Sequence, residues 1–192
     1  DGNRISFLME LDAARDTFID IMEIVPEYWA DVGIEVQVQT MDRSLWDLRV
    51  RNTAEFDATI HRFGGGSGQV VFLDPRYYFP FSGNSIFGDG WQKWYNDPNQ
   101  EGAEEPSEDI KQAMSLYDEL KASSDRAKQT ELMSEILEIA ADQFYTIGIS
   151  TEPTGFGVVS NNLNNVPETM PWSFPYPHPA PTNPQQWFFS GN

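Results

Sequence analysis

The chain has 192 residues, 40% of them hydrophobic and 14% aromatic, enough for one ordinary domain with a sizeable core. Acids outnumber bases 30 to 12, a formal net charge of −18, which argues against a nucleic acid or an anionic membrane surface as partner, since both need clustered Lys and Arg. There is no cysteine, so disulfides, zinc–thiolate sites and cysteine nucleophiles are excluded.

In chain order, "ISFLMEL" (5–11) predicts a short buried strand. A helix follows, with Phe18, Met22, Val25, Trp29 and Val32 on one stripe, Asp12 as its N-cap, and a kink or break expected at Pro26. Gly33 ends it, because glycine takes the left-handed position beyond a helix without a Cβ clash. "IEVQVQT" (34–40) alternates as a half-buried strand. Residues 43–52 predict a short helix burying Leu45, Trp46 and Leu48, and 56–63 a third strand with Phe56, Ala58 and Ile60 on one face. The first third thus reads βαβαβ, a pattern that gives parallel strands and right-handed crossovers.

Residues 64–106 show no sustained period and are rich in Gly, Pro, Asn and aromatics. Two helices are predicted next. One, from Ser107 to about Ala122, turns Ile110, Met114, Tyr117 and Leu120 inward. The other, from about Asp125 to Phe144, does so with Leu132, Ile136, Ala140 and Phe144. "FYTIGIS" (144–150) reads as a fourth strand. The tail is rich in Asn and Pro and is expected to form no packed helix or sheet, yet it carries Trp172, Phe174, Tyr176, Trp187 and Phe188.

The candidate chemistry centres on "FGGGSGQVVFLDPRYY" (63–78). A phosphate loop would need Lys then Ser or Thr after the last glycine, and a dinucleotide fingerprint would follow the first strand; neither requirement is met. The glycines are either a plain turn or backbone that lets a ligand approach closely. Asp74 and Arg76 either pair with charged ends of a ligand or serve as turn residues. The aromatics from Tyr77 to Tyr95 form either a satellite core under a long loop or flat faces for a ligand. Ser67 lacks the G-x-S-x-G setting of a nucleophile, His61 reads as a packed or solvated histidine, and no metal motif or cofactor fingerprint is present.

Several segments in succession resemble extracellular solute-binding proteins of family 5, receptors of bacterial ABC importers for peptides, nickel and oligosaccharides. They are Gly33-Ile34-Glu35-Val36, Phe56-Asp57-Ala58, Phe63-Gly64-Gly65 and Asp74-Pro75 followed by aromatics. The paired helices before "FYTIGIS" fit the same layout, without the proline usual before that strand. The resemblance implies an α/β fold: the second lobe of a periplasmic-binding-protein-like architecture, with a mostly parallel sheet of about four or five strands flanked by helices. It implies a lobe over 1–160 and a Pro/Asn-rich return segment over 161–192 leading toward a missing N-terminal lobe, so the chain is expected to be part of a longer protein. It further implies a solute held between lobes by Phe63, Gly64, Gly65, Gly66, Ser67, Asp74, Arg76, Tyr77 and Tyr78, and delivery to membrane permease subunits. The protein would be periplasmic or extracellular, with or without a lipid anchor, would use no cofactor and would perform no catalysis. Two other readings stand beside it. One is a glycoside hydrolase fragment using carboxylates among Asp74, Asp89 and Asp97; the other is a carbohydrate-binding module using the aromatic loop.

Overall fold

The computed structural model describes residues 4–62, 68–150, 155–170 and 179–191. The chain divides into two compact units, one formed by residues 1–62 with 76–145, the other by 63–75 with 146–192.

The first unit is α/β. Strand β1 (Ile5–Asp12) leads into helix α1 (Asp16–Asp31), which returns to β2 (Ile34–Met41). Helix α2 (Arg43–Trp46) continues as a π-helical turn through Asn52, and β3 (Ala58–Thr59) follows. The three strands form a parallel sheet in the order β2-β1-β3. Alternation decides the faces. Met9 and Leu11 of β1 pack with Met22 of α1 and Ile60, while Phe7, Phe18, Val25 and Trp29 close around them. Glu10 and Asp12 point to the opposite face and are as buried as the core.

Pro26 leaves α1 a single helix, pinned to the sheet on either side of the proline by Met22 and by Trp29, whose ring lies 5.3 Å from Phe7. Asp12 does not cap α1; its Oδ1 accepts from the Ala14 amide in a turn before the helix. Val32 lies beyond the last helical turn and is exposed, and Gly33 takes the left-handed conformation expected of it, with φ +87°.

In α2 the Asp42 carboxylate accepts from the amides of Ser44 and Leu45. Trp46 and Val50 are buried, whereas Leu45 and Leu48, predicted inward, are exposed. The wider π turn keeps Trp46 and Val50 on one face with Met41. Phe56 joins that second cluster, so it does not share a face with Ala58 and Ile60.

Helix α3 (Asp89–Asn96) lies within the stretch predicted to be irregular. Helices α4 (Glu108–Ala122) and α5 (Arg126–Gln143) then pack on each other, burying Ile110, Met114, Tyr117, Leu120, Leu132 and Ile136 as predicted, together with Ala113 and Met133. Asp125 caps α5 through the amides of Ala127 and Lys128. Phe144 was predicted to face inward and to open a fourth strand. Instead it ends α5 in the left-handed conformation, φ +56°, and is exposed. No strand forms over 144–150: Ile147 and Ile149 keep the alternating pattern without a paired neighbour among the described residues and are exposed. Among the described residues the parallel sheet therefore has three strands, not four or five.

The second unit holds a 3-10 turn (Gly68–Phe72) and a short antiparallel pair, β4 (Leu163–Asn164) with β5 (Phe188–Phe189). The Ser190 amide donating to the Asn162 carbonyl and Asn165 Nδ2 donating to the Gln186 carbonyl tie this pair together. The tail thus contains a small sheet where none was predicted. Trp172, Phe174, Tyr176 and His178 lie outside the described residues.

Candidate functional site

Parallel strands deliver the loops that follow them to one end of a sheet, and where the connections diverge to either side of a strand a crevice forms. In the order β2-β1-β3 that strand is β1. The carboxyl end of the first unit's sheet is thus set by Asp12 with the turn after it, by Asp42 with the α2 start, and by the segment Ile60–Arg62 after β3.

Charged side chains meet here in a ladder. Arg43 donates from Nη1 to Asp12 Oδ2 at 2.9 Å and from Nε to Asp47 Oδ2 at 2.8 Å. One turn on, Arg51 Nε lies 3.2 Å from Asp47 Oδ1. Arg15 reaches the same Asp12 oxygen only at 3.7 Å. Burial works to raise the Asp12 carboxyl, but the hydrogen bonds from Arg43 and the Ala14 amide, with the charges of Arg43 and Arg15, outweigh it and hold the group below its ordinary range. The bond to Asp47 and then that to Asp12 hold the Arg43 guanidinium more firmly protonated, against the effect of burial.

Trp46 forms the floor of the ladder. The guanidinium carbons of Arg43 and Arg51 lie 4.7 and 5.5 Å from its ring, and the His61 imidazole stacks on it at 5.6 Å with an 18° tilt. Its indole N–H donates to Thr59 Oγ1, which in turn donates to the Glu10 carbonyl, fixing the ring against the sheet. Hydrogen bonding assigns the His61 tautomer. Nδ1–H donates to the Arg62 carbonyl at 2.8 Å, and Nε2 accepts from Arg51 Nη2 at 3.2 Å. Tyr77 also donates its hydroxyl to the Arg62 carbonyl, at 2.6 Å. Burial, then the charges of Arg51, Arg43 and Arg15, push His61 down to about 4, outweighing the bond to Arg62.

Of the residues predicted to bind solute, Phe63, Gly64, Gly65, Gly66 and Ser67 lie outside the described residues. Asp74, Arg76 and Tyr77 are each less than 10% exposed, and Tyr78 is half-buried, its phenol pushed up by burial. Asp74 belongs to the second unit, where its amide closes a turn on the Val70 carbonyl; Arg76, Tyr77 and Tyr78 belong to the first. Arg76 lies close enough to Arg51 for their charges to interact.

The sequence reading passed over Asp12, Arg43, Trp46, Asp47 and Arg51 as site residues. One signal was available: Arg43, Asp47 and Arg51 recur at four-residue spacing and alternate in sign.

Part of the aromatic run is a satellite core. Phe79, fully buried, packs against Phe81, Tyr95 and Tyr117 with ring centres 5.2 to 6.4 Å away. Farther along the run, Phe87 and Trp91 meet Tyr145 beside a cavity of about 400 Å³, also lined by Asp89, Lys93 and Glu104.

No protein-family model and no curated protein matches the chain. Solved structures do. The chain is 27% identical to the oligopeptide-binding protein OppA, with a TM-score of 0.57 over 72% of this chain and 23% of that one. It is 16% identical to the periplasmic binding protein MelB of Agrobacterium fabrum, solved with stachyose, with a TM-score of 0.59 over 74% of this chain and 20% of that one. The fold is that of a periplasmic binding-protein lobe. The family 5 resemblance carried by the sequence motifs extends to the structure. The chain spans about a quarter or less of the length of these solved proteins. Both of these neighbours are binding proteins rather than enzymes. Their lobe architecture gives the carboxyl-end ladder its context, since open α/β sheets bind ligands beyond the carboxyl ends of their strands.

Proposed function

We propose that the chain is the second ligand-binding lobe of the substrate-binding component of an ABC importer. It captures a peptide, an amino-acid conjugate or an oligosaccharide in a cleft completed by a partner lobe, outside the cytoplasm, and hands it to membrane permease subunits. The observation that carries this reading is the carboxyl end of the parallel sheet, where the part-exposed Arg43 and Arg15 meet Asp12 above the buried Trp46–His61 stack. The likeness to an oligopeptide-binding protein supports it. Affinity in such a receptor comes from enclosing the solute and drying its polar contacts; no bond is made or broken. Arg76, Tyr77 and Tyr78 of the first unit belong to the proposed binding rim.

Native mass spectrometry of the full-length protein purified from its host tests the proposal. The expected result is a bound small solute that is released unchanged on denaturation. Hydrolysis of a chromogenic glycoside, lost in Asp89→Asn, would refute it in favour of an enzyme.

A further inference from the structure

The cavity of about 400 Å³ beside Tyr145 is walled by α3, the loop after it, the end of the π-helical turn and the chain just past α5, all in the first unit. Its volume is that of a small-ligand pocket. It shares no residue with the charge ladder or with the proposed binding rim.

Three aromatic rings line it, centred on Tyr145. Phe87 stacks on Tyr145 at 5.3 Å with a 22° tilt, and Trp91 meets it closer to edge-on, at 5.5 Å and 68°. All three keep part of their surface open, Tyr145 44% of it. The charges in the lining do not cancel. Lys93 is the one base among the lining residues and is committed to Asp89, Nζ to Oδ2 at 2.5 Å. The other Asp89 oxygen accepts from Gln92 Nε2. Glu104 remains, its carboxylate in no ion pair or hydrogen bond among the described residues.

Glu104 is nevertheless held in place. Its amide donates to the Gly90 carbonyl at 2.9 Å, and its side chain lies across that glycine so closely that a Cβ there would stand 2.7 Å from Glu104 Cγ. An unpaired carboxylate fixed beside aromatic rings attracts a cation, and little freedom is left for it to lose on binding. A hard metal ion takes six or more oxygen ligands, several of them carboxylates as a rule, whereas this lining offers one free carboxylate. The rings suit a cation that carries its own hydrocarbon shell.

We propose that this cavity is a further ligand site that takes a small organic ammonium ion, its charge toward Glu104 and its carbon groups against Trp91, Phe87 and Tyr145. The site does not depend on the solute-binding reading above.

Choline and butylammonium, each with an uncharged counterpart (neohexyl alcohol and butanol), are titrated into the 192-residue chain. Binding is read from the Trp91 indole Nε1–H signal by NMR, assigned with Trp91→Phe. At least one ammonium ion is expected to move that signal and to bind about fivefold or more tighter than its counterpart, the factor due to a cation over aromatic rings beside an exposed carboxylate. Glu104→Gln, a change at an exposed side chain, is expected to remove the preference. Glu105→Gln is expected to keep it, since that neighbouring carboxylate pairs with Lys111 and is not in the lining. Equal binding of ion and alcohol, or a preference that survives Glu104→Gln, overturns the proposal. So does a Trp91 signal unmoved by either ion. None of these results touches the solute-binding reading, which stands or falls on the solute carried from the host.

Discussion

Lowering the pH from 7 to 4.5 tests the environment of His61 directly. In the fold its pKa is pushed from the ordinary 6.5 down to about 4, by burial first and then by the arginines around it. The unfolded chain therefore takes up a proton at His61 as the pH falls through 6.5, whereas the folded chain refuses it until about 4. Stability from this group is fully present above 6.5 and is lost progressively between 6.5 and 4. At about 1.4 kcal/mol per pH unit the full loss is about 3 kcal/mol, of which about 2 is reached by pH 4.5. Asp12 does not blur this window, because its folded pKa lies below the ordinary 3.8 and its contribution is lost only as the pH falls through that range. The assay is urea unfolding of the wild-type chain and of His61→Gln at both pH values. Wild type is expected to lose about 2 kcal/mol more than the variant between them. Equal losses would show that His61 titrates normally and that the arginine-rich environment does not act on it.

The pairing of Glu10 with Arg49 makes a second prediction. Glu10 is fully buried on the central strand, with Oε1 held by Arg49 and Oε2 lacking a hydrogen-bond partner among the described residues. Arg49→Met strands a buried charge and is expected to lower the urea midpoint, and Glu10→Met added to it to restore part of the loss, because the orphaned carboxylate is gone. A double variant less stable than Arg49→Met alone would contradict this. Phe79→Ala, in the centre of the satellite core, is expected to cost about 3–5 kcal/mol by urea unfolding, and a cost under about 1 would mean that the loop core does not support the fold. Gly88→Ala is expected to cost more than Gly33→Ala. Both have positive φ, but a Cβ at Gly88 would meet Trp91 Cε3 at 2.8 Å and Pro80 Cγ at 2.9 Å, while one at Gly33 would meet nothing within 4 Å. Thermal melts of the two variants give the order.

Sequence patterning made α1, β2, α4 and α5 legible because in each one face is the more buried, so a period of two or of 3.6 shows through, while β1, buried on both faces over Met9–Asp12, was legible as a short apolar run. It failed where neighbours rather than periodicity decide. Phe56 alternates correctly with Ala58 but turns to the Trp46 cluster, because the strand begins only at Ala58. "FYTIGIS" has a strand's alternation and finds no paired neighbour among the described residues, and a strand without a ladder is not one. Helix α3 was hidden by Gly88, Gly90 and Pro98, which read as turns; here Gly88 starts the helix in the left-handed conformation and Pro98 lies just past its end. The glycine run lies outside the described residues; His61 and Arg62, which precede it in the chain, stand at the carboxyl end of the sheet. The ladder itself was less visible. Arg43 and Asp47 are four apart and could be paired on paper, but Arg43 meets Asp12 across 31 residues and His61 meets Trp46 across fifteen, contacts that exist only once β1, β2 and β3 lie side by side.

The protonation states at this end favour recognition over chemistry. A general acid or base works best with a pKa near the operating pH, so that it can both hold and release a proton. Here Asp12, Arg43 and His61 are pushed away from neutrality; burial lowers the Arg51 guanidinium, which still keeps its proton at neutral pH. Asp12 is held ionised below its ordinary range and Arg43 is held more firmly protonated. His61, the side chain whose ordinary pKa lies nearest neutrality, is kept unprotonated down to about 4, with one ring nitrogen donating to a backbone carbonyl and the other accepting from Arg51. Drawing a proton from this ring would break the first bond, and giving it one would break the second and set a cation among arginines. What these residues offer at neutral pH is a fixed pattern of charge over a buried aromatic stack, which suits the proposed role of gripping a solute and releasing it unchanged.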